Sequence, residues 1–407
     1  MSREKIFRKE MQIWICRDEE MKKQTIEEAC TLHARIGWQG LTKAEYLDSG
    51  DYYLVTGVDF SDGLIDFEHC HYVTQDRYEQ DEHIQLKADD VLVTKDGTIG
   101  KVAIIECLDK PATLNSGVFV VRPKNKSSLL PEYLVFSLRS GHFSRFIEQI
   151  KVGCTIAHLN QAKFLKYEIP DISVEEQQHV IDILKRAETV VKASQEELRK
   201  LDELIKARFV ELFSETYEEV SAEDVCSEIV DCPHSTPKYD ESELIYPAIR
   251  TSEIQNGSIS WNSMKYVGAI EYEKRIKRLK PVRGDIVYAR EGTYGDCVIL
   301  PDEHEFCLGQ RTMLFRPNFK ICTSAYLHAA LRSDAVKKQA DESNAGSTVP
   351  HVNVADAKKF HFPLPPLELQ QQFTDFVIEV NKSKVAVQKA LDETQLLFDS
   401  LMQEYFG

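Results

Sequence analysis

The stretch Asp90-Val-Leu-Val-Thr-Lys-Asp-Gly-Thr-Ile-Gly100 returns later in the chain as Asp285-Ile-Val-Tyr-Ala-Arg-Glu-Gly-Thr-Tyr-Gly295. Each copy is a β-rich run that leads into a Gly-Thr-x-Gly turn. Working outward, the same order of features follows both copies. Val121-Arg-Pro123 recurs as Phe315-Arg-Pro317, Leu138-Arg-Ser140 as Leu331-Arg-Ser333, and Thr155-Ile-Ala-His-Leu-Asn160 as Thr348-Val-Pro-His-Val-Asn353. Ile169-Pro170 matches Phe362-Pro363, and Glu175, Gln177 and Gln178 match Glu368, Gln370 and Gln371. The offset stays near 193 residues and drifts by only about two, so the chain is an internal repeat.

Each repeat closes on a long amphipathic segment. Val180, Leu184, Ala187, Val191, Ser194, Leu198, Leu201, Ile205 and Leu212 alternate steps of four and three, passing over Arg208. The same register in the second repeat gives Phe373, Val377, Val380, Lys384, Val387, Leu391, Thr394, Phe398 and Tyr405, with Leu401 at the place of Arg208. A seam held over about five heptads with charges between is a coiled-coil pattern. Pro170 precedes the first such helix, and Pro363, Pro365 and Pro366 precede the second, as a helix start allows. Two matching seams are expected to pack antiparallel, relating the repeats by a pseudo-twofold axis. A helix of ~40 residues is ~60 Å long, so the globular parts are expected to be held apart.

The expected fold is therefore α+β. Residues 1–172 form a first mixed domain with an N-terminal extension over 1–30, and 173–213 a first spacer helix. Residues 214–365 form a second mixed domain, and 366–407 a second spacer helix. Val91-Leu-Val-Thr94, Val102-Ala-Ile-Ile105 and Gly117-Val-Phe-Val-Val121 read as strands, with counterparts at Ile286–Ala289, Cys297–Leu300 and Thr312–Phe315. Pro131–Arg139 and Ser324–Arg332 carry helical spacing.

Composition narrows the class. Hydrophobic residues at 43% and charged residues at 29% describe a soluble globular chain. No apolar run reaches the ~20 residues of a membrane span, and Met1–Glu20 lacks the apolar core and cleavage site of a signal peptide. The ten cysteines are scattered with no Cys-x-x-Cys, which favours reduced thiols and a cytoplasmic setting. His69, Cys70 and His71, the pair Cys232 and His234, and the pair His304 and Cys307 do not supply four ligands at zinc spacing. No metal and no cofactor is expected. An amino-methyltransferase signature, a nuclease acid-x-Lys pair and a G-x-S-x-G elbow are all missing, so no catalytic residue is expected either. The net charge of −16 weighs against nucleic acid as a partner, because phosphate contact needs local positive potential. The run Lys274-Arg-Ile-Lys-Arg-Leu-Lys280 restores that potential locally.

The repeats and their turns together resemble the specificity subunits of type I restriction-modification enzymes. The resemblance runs from about Arg35 to Gly407. It rests on Arg35-Ile-Gly-Trp-Gln-Gly-Leu-Thr42, Tyr53-Leu-Val-Thr-Gly-Val-Asp59, Gly97-Thr-Ile-Gly100 and the Pro170–Gln178 segment in the first half. In the second half it rests on His234-Ser-Thr-Pro-Lys-Tyr239, Gly292-Thr-Tyr-Gly295, Gly346-Ser-Thr-Val-Pro350 and Pro363-Leu-Pro-Pro-Leu-Glu-Leu-Gln-Gln371. No single motif is specific; the order, duplication and spacing are. The resemblance implies two target recognition domains, each reading one half of a split double-stranded DNA sequence. It also implies helices that act as a ruler and dock two modification subunits, which methylate adenine, with a restriction subunit as a further partner.

The residues expected at DNA follow from chemistry and position. Lys95, Thr98 and Lys101 flank the first turn, and Arg290, Thr293 and Tyr294 the second. His234, Thr236, Lys238 and Tyr239 offer donors and a ring in a proline-containing loop, where recognition groups concentrate. Lys274, Arg275, Lys277 and Arg278 are expected at the DNA backbone, since Lys meets phosphate while Arg can also read guanine. The Gly-Thr-x-Gly turns can offer backbone N–H groups to phosphate. The duplicated Thr155, His158 and Asn160, and Thr348, His351 and Asn353, are expected to be structural. Two rival readings share the pattern: the targeting subunit of an enzyme that cuts on both sides of its site, and a coiled-coil scaffold that reads no DNA.

Overall fold

In the central run of each repeat the side chains alternate between two apolar environments, and this dictates the layers. A computed structural model describes residues 22–407 apart from 38–39, 152–157, 214, 216, 241, 243, 293 and 344–350. They fall into two compact units, one formed up to Ala193 together with Ala390–Gly407, the other by Ser194–Lys389.

In the first unit a four-stranded antiparallel sheet has the order Cys30–His33, Val118–Pro123, Val91–Thr94, Val102–Ile104. Successive strand residues point to opposite faces. Val91, Val93, Phe119 and Val121 therefore enter a core with the helices Pro131–Leu138 and Gly141–Lys151. Leu92, Ala103, Val118 and Val120 enter a second core with Tyr53, Val55, Ala112 and Leu114. Those last residues belong to a three-stranded sheet in which Tyr52–Val55 pairs antiparallel with His71–Val73 and parallel with Ala112–Leu114.

The second unit repeats this plan element by element. Its four-stranded sheet has the order Cys226–Asp231, Thr312–Pro317, Ile286–Ala289, Cys297–Ile299. Ile286, Tyr288, Met313 and Phe315 face one core, and Val287, Ala289, Val298 and Leu314 the other. Tyr246–Ile249 pairs antiparallel with Lys265–Val267 and parallel with Cys307–Leu308. Each unit also holds a two-residue hairpin, turning through Asp62-Gly63 (φ 49° and 81°) and Asn256-Gly257 (φ 50° and 77°). Positive φ at both central residues suits the twist of the flanking strands, and Asp, Asn and Gly tolerate it best.

The long helices span Val174–Leu212 and Leu367–Phe406. Ser173 and Glu176 form a capping box at the start of the first. Val180, Ile181 and Leu184 near that start share the first unit's core with Leu401, Met402, Tyr405 and Phe406 near the end of the second helix. In the second unit, Phe209 and Phe213 at the end of the first helix pack on Phe373 at the start of the second, with ring centroids 5.6 Å apart in both pairs. Start meets end in both units, so the helices run antiparallel, as expected. Val180, Leu184, Phe373, Val380 and Leu401 are buried. Val191, Leu198, Leu201, Ile205, Leu212, Val377, Val387, Leu391 and Phe398 are half-buried. Each compact unit thus takes a half of each long helix.

The mixed repeat with two long helices expected from the sequence is the fold observed. Among the described residues no helix is long and apolar enough to cross a membrane, and eight cysteines are free thiols.

Candidate nucleic-acid interface

The residues expected at DNA form two sets, one in each unit. In the second unit the anchor is the loop that follows the strand Cys226–Asp231. Its backbone from Cys232 to Lys238 makes no regular strand or helix, so its shape depends on groups beneath it. The Arg275 side chain is 1% exposed. It donates from Nε to the Leu308 carbonyl (2.9 Å), from Nη1 to Ser235 O (3.1 Å) and from Nη2 to Pro233 O (3.3 Å). Arg290 donates from Nε to Val352 O (2.8 Å) and pairs with Asp231, whose second carboxylate oxygen lies 3.4 Å from His234 Nε2. Arg278 reaches the Asp231 carbonyl (3.4 Å), and Gln310 donates to the Thr236 hydroxyl (3.0 Å). The loop's upper surface presents His234, Ser235, Thr236 and Lys238, all exposed, while Pro237 is buried.

Two expectations are corrected by this geometry. Arg275 lies below the loop with its guanidinium enclosed, and cannot reach a DNA backbone from there. Arg290 is likewise committed to Asp231 and Val352. Both are braces, because a guanidinium with five donors binds several carbonyls at fixed spacing. The other cations of the basic run stay outside. Lys274 is exposed and 4.0 Å from Glu271, Lys277 is exposed, and Arg278 is exposed. Tyr239 is half-buried, its ring flanked by Lys265 Nζ at 5.0 Å and the Arg250 guanidinium at 5.7 Å. Arg250, Lys265, Gln310 and Arg311 also belong to this surface and were not singled out by sequence. Arg311 is exposed at φ 64°, and its Nε lies 3.0 Å from Glu291.

In the first unit the turn after Val91–Thr94 is closed by its own strand. Gly100 N donates to Thr94 O (3.0 Å), and Lys101 N to Thr94 Oγ1 (2.9 Å). Those two N–H groups are therefore used internally rather than offered to phosphate. Gly97 and Gly100 hold φ of 69° and 87°, a left-handed backbone that favours glycine. Thr98 and Lys101 are exposed at the turn. Lys95 folds its ammonium over the Phe119 ring at 5.1 Å, and burial lowers its pKa. In the second unit Tyr294 hydrogen-bonds Asp341 through its hydroxyl, which holds its pKa up. Thr293 lies outside the described residues, as do Thr155 and Thr348 and the segments 1–21 and 346–350.

The paired asparagines are helix caps. Asn160 Oδ1 accepts from Ala162 N (2.9 Å) and Lys163 N (3.3 Å), and Asn353 Oδ1 accepts from Asp356 N (2.9 Å). His158 pairs with Asp96 across the first turn, and His351 bridges to Glu291 beside the second. Among the described residues no three His, Cys, Asp or Glu side chains gather as a metal site.

Comparison with known proteins bears on the family and the fold. The model of the type I restriction modification DNA specificity domain matches residues 18–203 and again 214–394. The chain is 29% identical over 123 residues to the MjaIX specificity subunit of Methanocaldococcus jannaschii, covering 30% of this chain and 26% of that one. It is 22% identical over 155 residues to the EcoBI specificity subunit of Escherichia coli, covering 38% and 32%. These matches span about a quarter to a third of the relatives' own length. In fold, the crystal structure of the type I S subunit from M. genitalium is similar over 96% of this chain and 97% of its own, with TM-score 0.58 and 15% identity. A chain from a type I restriction-modification complex is similar over 95% and 99%, with TM-score 0.53 and 16% identity. With the specificity-domain model matched twice, once over each half of the duplicated fold, the chain belongs to the type I restriction-modification DNA specificity family.

Proposed function

We propose that each unit reads one half of a split double-stranded DNA sequence, and that the long helices fix the unread gap between the halves. In this reading the helices also dock two modification subunits that methylate adenine, and a restriction subunit in the complete enzyme. The chain itself performs no chemistry. The observation that carries the proposal is the contrast within the repeat. The sheets, cores and helix caps are duplicated, while the loops that follow the first strand of each four-stranded sheet differ in sequence: Ala34–Tyr46 against Cys232–Tyr239. A scaffold that only joined proteins would have no use for two unlike loops on one frame, whereas two unlike half-sites need them. The net charge of −16 fits a component that shares DNA contact with partners supplying positive charge.

A genome-wide map of N6-methyladenine, with and without this chain, tests the reading. Loss of methylation at one split motif with a fixed gap is the expected result. An unchanged map in cells that express an active modification subunit would overturn it in favour of a scaffold. Removing one heptad from both helices is expected to shorten the gap and leave both half-sites unchanged.

A further inference from the structure

We infer that Arg275 is a positioning residue for DNA reading: it sets the shape of the Cys232–Tyr239 loop and so decides how strictly the second unit reads its half-site. The inference rests on the functional reading above. Arg275 itself touches no DNA, since its side chain is 1% exposed. Its three carbonyl acceptors are Pro233 and Ser235 in the loop and Leu308 at the end of a buried strand. The Glu271 carboxylate at 3.5 Å balances its charge. The guanidinium thereby ties an irregular exposed loop to the sheet at two points two residues apart. Between and beyond those points sit His234, Thr236 and Lys238, the loop's exposed polar groups. A rigid base contact needs a supported loop, because a shift of about 1 Å forfeits a bidentate hydrogen bond.

The first unit holds an independent instance of the same device. Arg35, 1% exposed, donates from Nε to Leu114 O (2.8 Å). Leu114 and Leu308 end equivalent strands, each parallel to the central strand of the three-stranded sheet. Arg35 comes from the loop and reaches inward, also meeting Thr113 Oγ1 (3.2 Å), Gln80 Oε1 (3.0 Å) and Arg77 O (3.3 Å). Arg275 comes from the end of the helix Ala269–Arg275 and reaches outward to the loop. The acceptor is repeated and the arginine's place in the chain is not. What the two units share at this junction is the chemistry: one buried guanidinium joining loop, helix and strand end.

The test uses the full complex with its modification subunits. Methylation rates are measured on the split target and on every single-base change in either half-site. A wrong base pair ordinarily costs roughly 5- to 150-fold. For R275K, which keeps charge and stem but not the fork, discrimination at one half-site is expected to fall to within about threefold of the true target. At the other half-site it should stay as it was, and R35K should show the reverse. H234A and T236A, at exposed positions that carry no core packing, should weaken reading at the same half-site as R275K. Equal discrimination at both half-sites in R275K, with only a slower rate or a lower melting temperature, would overturn the inference and mark Arg275 as merely structural. So would H234A and T236A acting at the half-site that R275K leaves intact. If the unaltered complex modified no split motif, the functional reading itself would fall instead.

Discussion

The two units share a frame down to single buried polar groups, and differ where that frame meets the surface. In the frame, Arg122 grips Asp90 with two nitrogens, at 2.6 Å each, and Arg316 grips Asp285 at 2.8 and 2.7 Å. Gln177 accepts from Leu130 N and donates to Ser128 O and Ile172 O. Gln370 repeats this with Thr323 N, Ile321 O and Pro365 O. Each glutamine is fully enclosed and joins the first turn of a long helix to the unit it serves. At the surface the correspondence fails. Asp296 accepts from Gly257 N (2.9 Å) and from Arg332 Nε (2.8 Å), whereas its counterpart in the first unit is the exposed Lys101. Arg139, the counterpart of Arg332, turns instead to Glu188 at 2.9 Å. The difference teaches which features are fixed by folding and which are open to specificity.

The largest effects should come from breaking the shared ion pairs. The Asp90 and Asp285 side chains are 5% and 0% exposed, so removing either arginine strands a buried carboxylate. Arg122→Met and Arg316→Met should each destabilise their unit by about 3–5 kcal/mol, read by urea unfolding followed by tryptophan fluorescence, Trp14 and Trp38 reporting on the first unit and Trp261 on the second. The comparison predicts near-equal losses. A difference of more than about 2 kcal/mol would show that one frame relies on this pair and the other does not.

Such pairs were legible in the sequence only as the repeated Arg-Pro and the repeated aspartate before each strand, with no hint that the two meet. The layers were readable because period-two patterning survives translation of the repeat, as in Val91–Thr94 and Ile286–Ala289. The helices were readable because the seam is long. The surface was read less well. Arg275 reads as a DNA contact from its basic run and Arg290 from its place beside a glycine turn, but neither pattern reveals burial. Their loop-facing carbonyl partners, such as Pro233 and Ser235, are backbone groups that sequence does not show. Asp62-Gly63 and Asn256-Gly257 carry a hairpin signal of known strength. Arg35 could have been suspected from lying just beyond a strand, though nothing marked Leu114 as its acceptor.

A smaller effect separates the units by pH. His328 lies half-buried on the helix Ser324–Leu331, its Nε2 2.9 Å from Cys297 O, where the first unit has Val135. Burial, reinforced by Arg332, lowers its pKa to about 4. The unfolded chain takes up a proton as pH falls through the usual histidine value near 6.5, while the folded unit resists until about 4. Stability from this group is thus complete above pH ~6.5 and lost as pH falls toward ~4, amounting to roughly 2–3 kcal/mol. The difference between native and His328→Val unfolding curves over this window isolates the term, since other groups cancel. A flat difference would mean that the second unit admits the proton without opening.

The smallest effect is expected in the seam itself. Lys384 occupies a seam position where the first helix has Val191, and its ammonium lies 2.6 Å from Asp202 of the first long helix. Its side chain is 19% exposed and that of Asp202 is 40% exposed. The Coulomb gain of such a pair is offset by desolvation and by the ordering of a long side chain, so its net worth is small. Lys384→Leu should therefore leave the second unit's stability within about 1 kcal/mol of native, and a double-mutant cycle of K384A with D202A should return a coupling of ~0.2–1 kcal/mol. A lysine in an apolar row still matters for register. It finds the Asp202 carboxylate in one antiparallel alignment, and a slip of one heptad puts Gln195 or Phe209 in that place, neither of them a carboxylate. The K384L variant is thus expected to keep its stability while admitting a second helix register, seen as doubled NMR signals for Val377 and Val380. A single register in that variant would assign alignment to the aromatic contacts of Phe209, Phe213 and Phe373 instead.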